Sequence, residues 1–497
     1  MKSILRIFVL LVLAGGSGFG ASGHGKKAAD SDPAPDLGNR LELFVDDTLI
    51  ESMDGVELEV QQPRRAEKVF VFDQPWEGNI PFHVAVFKDG EIYRMYYRGS
   101  SAVDYIHREE LEPGETWVAA HEKVVCYAES RDGIHWTRPS LGQVEFEGSR
   151  DNNILEVRGA AKLNPFRDDN PAAPAEARYK AVAFAKPGNH RGLVALASPD
   201  GIRWSWMREI PVLTDGAFDS HNVAFWDGER GVYVALYRDF LHGVRTLKYA
   251  TSKDFVEWSE GRWVDYGDAP TEHLYTNATV PYFRAPHIYL AFPKRFVTYR
   301  IPQHLDPAPA AEWPGLSDGV LMSSRDGVHW HRFMEAFIRP GRERRNWIHR
   351  NGLVARGIVP TAPGELSLYL VQHYTYPSAH LQRVVVRTDG FASASAGYPG
   401  GELITKPFRF SGENLVLNYS TSAAGSIQVE VQDVNGNPVP ELSLTESVPI
   451  WGDELEGKAG WIYGGKVRAK PLRRVAGKTV RLRFVLQDAD LYSFRFR

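Results

Sequence analysis

The sequence has little cysteine, no excess of positive charge and no long apolar run after its first 22 residues. A single cysteine, Cys126, excludes an intramolecular disulfide and a cysteine-based zinc site. No later stretch approaches the roughly 18 apolar residues of a membrane-spanning helix. Lysine and arginine number 58 against 62 aspartates and glutamates, and a net charge of −4 does not indicate nucleic-acid binding. We therefore expect no nucleic-acid partner and no integral membrane segment in the mature protein.

Residues 1–22 have the pattern of a secretory signal peptide. Lys2 and Arg6 precede an apolar run from Ile7 to Ala14, and small residues suited to cleavage follow. Residues 23–38 are polar and rich in proline and glycine, which indicates a linker. No cysteine follows the apolar run for lipid attachment, so the expected location is secreted or periplasmic.

An internal repeat runs through the central part of the chain. The heptamer SRDGIHW, its variants and a shortened copy, RTDGF, begin at Ser130, Ser198, Ser252, Ser324 and Arg387. Aspartate and glycine favour a tight turn between strands, so Asp132 and its equivalents are interpreted as turn formers. Alternating aromatic and aliphatic runs such as KDGEIYRMYYRG precede the copies and are expected to form inner strands. If the repeat units form a closed ring, Asp46 and Asp47 are expected to end the strand that closes it.

Five such units of about four strands each predict a five-bladed β-propeller over residues 39–400. After Gly400 the repeat stops, and residues 401–497 alternate strictly around an Asn-Gly turn in VNGNPV. This pattern predicts a C-terminal antiparallel β-sandwich, so the whole chain is expected to be all-β. The alternative, hairpins of one large sandwich, fits the near-identical heptamers less well.

The SxDGxxW turns and the domain order resemble those of the secreted glycoside hydrolases of families 32 and 43. The resemblance covers residues of about 40–400 in repeat organisation, and the rest of the chain in domain order. It implies catalytic carboxylates at the starts of the innermost strands, around the central axis. The sucrose-binding string Asn-Asp-Pro-Asn-Gly of family 32 is absent, and PWEGNIPFH, Pro75 to His83, occupies its position. The string PFRDDNP resembles the second-blade Arg-Asp-Pro segment.

Glycoside hydrolysis needs two carboxylates, one to protonate the leaving oxygen and one ionised as base or nucleophile. Residues before and at the start of each inner strand of a propeller converge near its axis. On that basis the predicted catalytic residues are Asp168 and Asp219, with Glu272 as general acid and Glu77 as the rival from the first blade. A carboxylate at a strand start also often caps a turn, so each has a structural alternative.

The same segments supply polar residues that are predicted to bind substrate. They are Asn79, His83, Arg98, His221, Asn222, Tyr275, Asn277, Arg295, His349 and Arg350. The histidines among them are interpreted as donors to backbone or ligand hydroxyls, the alternative being an axial metal. We therefore predict no metal and no cofactor, and an oligosaccharide or polysaccharide as the partner.

These expectations combine into the hypothesis of an exported glycoside hydrolase with paired-carboxylate chemistry in an axial pocket. One alternative is a carbohydrate-binding propeller without catalysis. Another is a phosphorylase, in which a cluster such as Arg295, His349 and Arg350 binds phosphate. Two of the four predicted carboxylates in one pocket would support hydrolysis. A cluster of arginine and histidine beside the pocket would support phosphorolysis.

Overall fold

The computed structural model describes residues 34–102, 119–160, 162–302, 314–463, 465–468 and 470–497. The predicted signal peptide and most of the predicted linker lie outside the described residues. Within these ranges regular structure is nearly all β, and no helix is long and apolar enough to cross a membrane. Short 3-10 segments occur at Ala175–Ala177, Arg344–Asn346 and Lys470–Arg474.

The first described strands do not begin the first blade. They are β1 (Glu42–Leu43), β2 (Ile50–Asp54), β3 (Glu57–Val60) and β4 (Arg64–Val71). Strand β4 is the outermost strand of the last blade, so it closes the ring. Strand β1, just before Asp46, pairs instead with the last strand of the chain, with Glu42 opposite Phe494. The expectation that Asp46 and Asp47 end the closing strand is therefore corrected.

The described residues form five blades, which follow one another in chain order. Blade one contains β5 (Phe82–Asp89), β6 (Ile92–Ser101), β7 (His121–Ser130), β8 (Trp136–Thr137) and β9 (Ile154–Leu155). Blade two contains β10 (Asn164–Arg167), β11 (Tyr179–Ala185), β12 (Gly192–Ser198) and β13 (Ser205–Trp206). Blade three contains β14 (Val223–Asp227), β15 (Val232–Leu241), β16 (Val244–Ser252) and β17 (Arg262–Trp263).

The last two blades have interrupted inner strands. Blade four contains β18 (His273–Leu274), β19 (Val280–Tyr282), β20 (Ala285–Ala291), β21 (Lys294–Val297), β22 (Leu316–Ser324) and β23 (Trp330–Ile338). Blade five contains β24 (Leu353–Val354), β25 (Val359–Ala362), β26 (Glu365–Gln372) and β27 (His380–Arg387), with β4 outside them. The predicted five-bladed propeller is confirmed.

The alternating aromatic runs form the second strand of each blade, not the innermost one. KDGEIYRMYYRG, for example, contains β6, and the innermost strand β5 precedes it. The reason is the position of the repeat, which joins the third strand of a blade to the fourth, as between β7 and β8. Counting back from that turn, the aromatic run is one strand farther from the axis than expected.

Four of the five repeat turns have one geometry. The Oδ1 atom of Asp132 accepts hydrogen bonds from the backbone N–H groups of Ile134 and His135, both at 2.8 Å. Asp200, Asp254 and Asp326 accept the equivalent pairs. The interpretation as turn formers is confirmed for these four aspartates, whereas Asp389 of the shortened copy binds the side chains of Tyr282 and Arg284.

The C-terminal residues form a curled antiparallel sheet. Its strands are β28 (Ala392–Ala396), β29 (Gly401–Thr405), β30 (Leu415–Gln432), β31 (Asp453–Lys458) and β34 (Arg481–Phe496), and β32 (Trp461–Tyr463) pairs separately with β33 (Lys466–Arg468). Strands β30 and β34 pair along most of their length and curl around a core that includes Trp461 and Phe484. The early strands β1, β2 and β3 complete this sheet.

Candidate active site

A cavity of about 640 Å³ opens on the face where the innermost strands begin. We call it the axial pocket. Blades one, three, four and five line it with Ile80, Phe82, Arg98, Ser100, Ser101, Ala102, His121, Glu122, Lys123, Asp219, Tyr275, Lys294, Arg350 and Tyr374. The pocket thus joins aromatic rings to charged side chains from distant parts of the chain.

Asp219 is the one predicted catalytic carboxylate in the described lining of this pocket. It lies just before β14, where Lys162 of blade two forms an ion pair with it at 2.5 Å. The Tyr275 hydroxyl donates to its other oxygen at 3.4 Å. Partial burial raises the pKa of Asp219, but nearby cations, above all Lys162, outweigh it and lower the pKa to about 2. Asp219 is therefore ionised at neutral pH, as a base or nucleophile must be.

Arg98 is fixed in the wall of the pocket by neutral partners. Its Nη2 atom donates to the carbonyl of Ile80 at 2.9 Å and to the hydroxyl of Tyr374 at 3.2 Å. Its guanidinium also lies 5.2 Å from the centre of the Phe82 ring. These contacts orient the charge of a side chain that is only 7% exposed, so it is ready to meet a ligand.

Lys294 is a buried amine of the pocket that was not among the predicted residues. Its ammonium donates to the carbonyl of His349 at 3.2 Å and lies 4.5 Å from the centre of the Tyr275 ring. Burial, together with the neighbouring arginines Arg350 and Arg245, holds the pKa of Lys294 well below its usual range. A lysine in such surroundings favours a bound anion, because an anion would restore the charge that burial penalises.

Positive charge exceeds negative charge in the described lining of the axial pocket. The basic side chains are Arg98, Lys123, Lys294 and Arg350, and the carboxylates are Asp219 and Glu122. Lys162 adds a further cation where it meets Asp219. A pocket with this balance attracts ligands that carry negative charge.

Glu77 lies outside the axial pocket and is fully buried in blade one. It accepts hydrogen bonds from the hydroxyl of Tyr97 at 2.5 Å and from Nε of Arg138 at 2.8 Å. The backbone N–H of Gln74 donates to its second oxygen at 3.1 Å. Burial raises the pKa of Glu77, although Arg138 opposes the increase. With every partner internal, Glu77 is a structural carboxylate.

Asp168 also lies away from the axial pocket, because it follows the end of β10 instead of preceding its start. It is bound by the ammonium of Lys180 and by the hydroxyl of Tyr233, the latter at 2.8 Å. Asp89 at the end of β5 has the same kind of partners, Arg94 at 2.7 Å and Tyr179 at 2.5 Å.

Asp227 at the end of β14 repeats the arrangement with Arg230 and with Tyr289 of blade four. In each case a carboxylate after an innermost strand meets a cation of its own blade and a tyrosine of the next blade. Asp168 is therefore one copy of a clamp between blades. The structure does not pair it with Asp219.

Glu272 is held on the side of blade four. The guanidinium of Arg332 binds it, and Nη1 of Arg295 lies 3.9 Å from it. Arg295 is itself turned outward, with Nε and Nη2 donating to Asp318 at 2.9 and 2.6 Å. Successive side chains of a strand point to opposite faces, so Lys294 enters the pocket where Arg295 was predicted.

The asparagines that were predicted to bind substrate form hydrogen bonds within the protein. Each is buried, and each side chain binds backbone groups of neighbouring segments. The Nδ2 atoms of Asn79, Asn222 and Asn277 donate to the carbonyls of Thr375, Phe218 and His221, at 2.8, 3.0 and 3.0 Å. They brace the starts of the innermost strands, and the structure does not present them to a ligand.

His83 and His221 are buried beside the pocket, and their ring centres lie 5.7 Å apart. His349 is buried as well, and its carbonyl accepts from the hydroxyl of Ser317 at 2.7 Å. Among the residues that the structure describes, no three His, Cys, Asp or Glu side chains converge as metal ligands would. The positive charge of Arg98 beside His83 is also unfavourable for a metal cation.

Of two residues at the site that were not predicted, Lys162 carried a signal in the sequence and Glu122 did not. Lys162 lies two residues before β10, so the rule used for the other blades would have selected it. The predicted second-blade residue, Asp168, lies one strand length after Lys162. Glu122, in β7, offered no such signal, since it lies on a third strand.

No protein-family model matches the chain, and no curated protein matches it. Several solved structures are similar to it. A glycosyl hydrolase from Bacteroides ovatus is 13% identical, with 68% of this chain and 96% of that chain covered and a TM-score of 0.39. A β-1,2-mannobiose phosphorylase from Listeria innocua, in complex with β-1,2-mannobiose, is 12% identical, with coverages of 67% and 98% and a TM-score of 0.43.

An N-acetylgalactosamine deacetylase from F. plautii, in complex with blood group B trisaccharide, is 13% identical, with coverages of 68% and 97% and a TM-score of 0.39. The predicted five-bladed fold is confirmed by the strand pairing itself. The similar structures are named for different reactions, so they do not indicate the chemistry of this chain.

Proposed function

We propose that this chain is a carbohydrate-active enzyme that cleaves a glycosidic bond in the axial pocket, on a substrate that carries negative charge. The observation that supports this most directly is the convergence of ionised Asp219 with Arg98, Lys294 and Arg350 in one cavity. Tyr275 and Phe82 offer ring faces on which a sugar can pack. The cavity volume of about 640 Å³ suits a short stretch of an acidic glycan.

In this proposal Asp219 acts as base or nucleophile, because its low pKa keeps it ionised. The leaving oxygen needs a proton donor, and Glu122 is the other carboxylate in the described lining. Glu122 therefore replaces Glu272 as the proposed acid. In an inverting reaction Asp219 takes a proton from the water that attacks the anomeric carbon, while Glu122 protonates the leaving oxygen. In a retaining reaction Asp219 attacks the anomeric carbon while Glu122 protonates the leaving oxygen; water then displaces Asp219 from the sugar and gives its proton to Glu122.

Phosphorolysis is a second candidate, and the excess of cations in the pocket favours it. Phosphate held by Arg98, Lys294 and Arg350 would take the place of water as nucleophile. One carboxylate would then suffice. The negative charge of bound phosphate would also raise the pKa of Asp219 and let it donate a proton.

The test is cleavage by the purified full chain of acidic and neutral glycans, with and without added phosphate. We expect cleavage of an acidic glycan, with Asp219→Asn lowering kcat at least 100-fold and Glu122→Gln lowering it at least tenfold. Glu272→Gln is the matched control and should retain kcat, since Glu272 lies outside the pocket. Sugar phosphate formed only with phosphate present would identify phosphorolysis.

Undiminished turnover in Asp219→Asn would eliminate the proposed role of Asp219. Binding of acidic glycans without any cleavage would instead favour the carbohydrate-binding propeller. Export of the protein remains a prediction from residues 1–22. Secretion of a reporter fused to these residues would test it separately.

A further inference from the structure

A second cavity, of about 460 Å³, opens on the opposite face, where the innermost strands end. We call it the opposite pocket. All five blades contribute to its described lining, and its walls are rich in aromatic rings. The rings belong to Phe87, Phe166, Phe225, Trp226 and Phe283. Phe283 is 51% exposed, and the centre of its ring lies 5.3 Å from that of Tyr282.

Arg356 lines this pocket, and its guanidinium lies on the axis of the ring. Its backbone pairs with β5 of blade one, donating to the carbonyl of Val84 at 2.8 Å. Its Nη1 donates to Oδ1 of Asn164 at 2.9 Å, and its Nη2 donates to the carbonyl of Ala224 at 2.8 Å. Its Nε donates to the carbonyl of Thr279 at 3.3 Å. Arg356 therefore links blade five to the other four.

Every one of these acceptors is neutral, and no carboxylate among the described residues pairs with Arg356. The side chain is only 5% exposed. Burial alone lowers the pKa of Arg356 to about 9, so the group still carries its charge at neutral pH. A buried arginine is usually paired with a carboxylate. Arg325 is an example, since its guanidinium pairs with Glu42 at 2.7 Å and Asp46 at 2.9 Å. A buried charge without a counterion is unfavourable, and an anion would relieve it.

The rim of the opposite pocket is also mainly basic. Lys88 and Arg167 line it, and Asp169 is the carboxylate of the described lining, 3.3 Å from Arg167. A ligand that enters would meet positive charge at the rim, aromatic rings along the walls and a guanidinium at the floor. This order matches a molecule with an apolar body and one anionic end.

We propose that the opposite pocket is a second ligand site, for a small aromatic molecule that carries a carboxylate. The carboxylate lies toward Arg356, and the aromatic body packs against Trp226 and Phe283. The site is separate from the axial pocket, and it does not depend on the proposed cleavage of glycosides.

The experiment is calorimetric titration of the purified full chain with 2-naphthoate and with its neutral analogue 2-naphthylmethanol. We expect the carboxylate to bind at least tenfold more tightly than the alcohol. Phe283→Ala should weaken the binding of 2-naphthoate at least fivefold. Tyr398→Ala, a matched change at an exposed ring of the C-terminal region, should leave it unchanged.

Arg356→Gln should remove the preference for the carboxylate over the alcohol, provided that its melting temperature shows a folded protein. Lys88→Ala serves where Arg356→Gln does not fold, and it should reduce the same preference, since Lys88 is an exposed rim residue. Equal affinity for the two probes would overturn the proposal. Loss of binding in Arg98→Ala, with none in Phe283→Ala, would place the probe in the axial pocket and overturn it as well.

Discussion

At the scale of single residues, two neutral imidazoles are buried beside the axial pocket. The Nε2 atoms of His83 and His221 have no hydrogen-bond partner in the part of the chain that the structure describes. Burial lowers the pKa of His221 to about 3, and it holds the pKa of His83 well below the usual range. Both rings are therefore uncharged at neutral pH, and neither can be protonated without a loss of stability.

This leads to a prediction about pH and stability. Between about pH 3 and pH 6.5 the unfolded chain binds a proton at His221 that the folded chain does not bind, so stability falls as pH falls. From pH 7.5 to pH 5 the loss should be about 2 kcal/mol for this residue. His221→Asn should reduce the measured decrease in the free energy of unfolding by that amount. The exposed His190→Asn should not, and an unchanged decrease in His221→Asn would contradict the assignment.

At the scale of the element, the glycine of the repeat turn serves both the backbone conformation of the turn and its packing against the neighbouring blade. Gly327 has a φ of 81°, and a Cβ added there would lie 2.4 Å from the ring of Tyr249. Trp330 closes the turn by donating to the carbonyl of Gly327 at 2.9 Å. The glycine therefore permits the left-handed backbone and also lets blade three approach the turn closely. Phe255 holds the equivalent place in blade three with a φ of 71°, so the turn itself tolerates a side chain.

Gly327→Ala should therefore destabilise the protein more than a change that adds only backbone strain. Gly243 is the matched control, since its φ is 80° and nothing lies within 4 Å of an added Cβ. We expect Gly243→Ala to cost about 1 kcal/mol and Gly327→Ala to cost at least about 1 kcal/mol more. Chemical denaturation of both variants measures the difference. Equal losses would mean that the close approach of Tyr249 contributes nothing.

At the scale of the whole molecule, the ring is closed by a strand that comes before the first blade. Strand β4 pairs with β27, with Phe70 opposite Leu381. The ring of Phe70 is buried and lies 5.4 Å from that of Tyr97 in blade one. The guanidinium of Arg138 lies 4.0 Å from its centre on another side. One side chain thus fastens the last blade to the first.

Phe70→Ala should lower the free energy of unfolding by about 3–5 kcal/mol, because it removes a buried ring at the closure. Val71→Ala, at the next residue of the same strand, should cost less than about 1 kcal/mol, since Val71 is 40% exposed. Melting temperatures of the two variants provide the measurement. Similar losses in both would show that closure depends on strand pairing and not on this ring.

Charge at the axis is also a property of the whole molecule. Glu77 and Glu272 were plausible catalytic groups, yet each meets an arginine about sixty residues further along the chain, Arg138 and Arg332. Asp219 meets Lys162 from the preceding blade. Which carboxylate remains available to a ligand depends on these distant partners, and no local pattern of residues reports them.

The sequence by itself determined the number of blades and the turn aspartates of the four full repeat copies. These features depend on neighbouring residues, because a turn is set by side chains two or three positions from the backbone groups that they bind. Only the tertiary structure decided which carboxylates lie before the innermost strands and which lie after them. It also decided whether Lys294 or Arg295 faces the pocket. It also revealed Arg356 on the axis. These outcomes depend on how side chains from separate blades meet, where burial and opposite charge act across space and not along the chain.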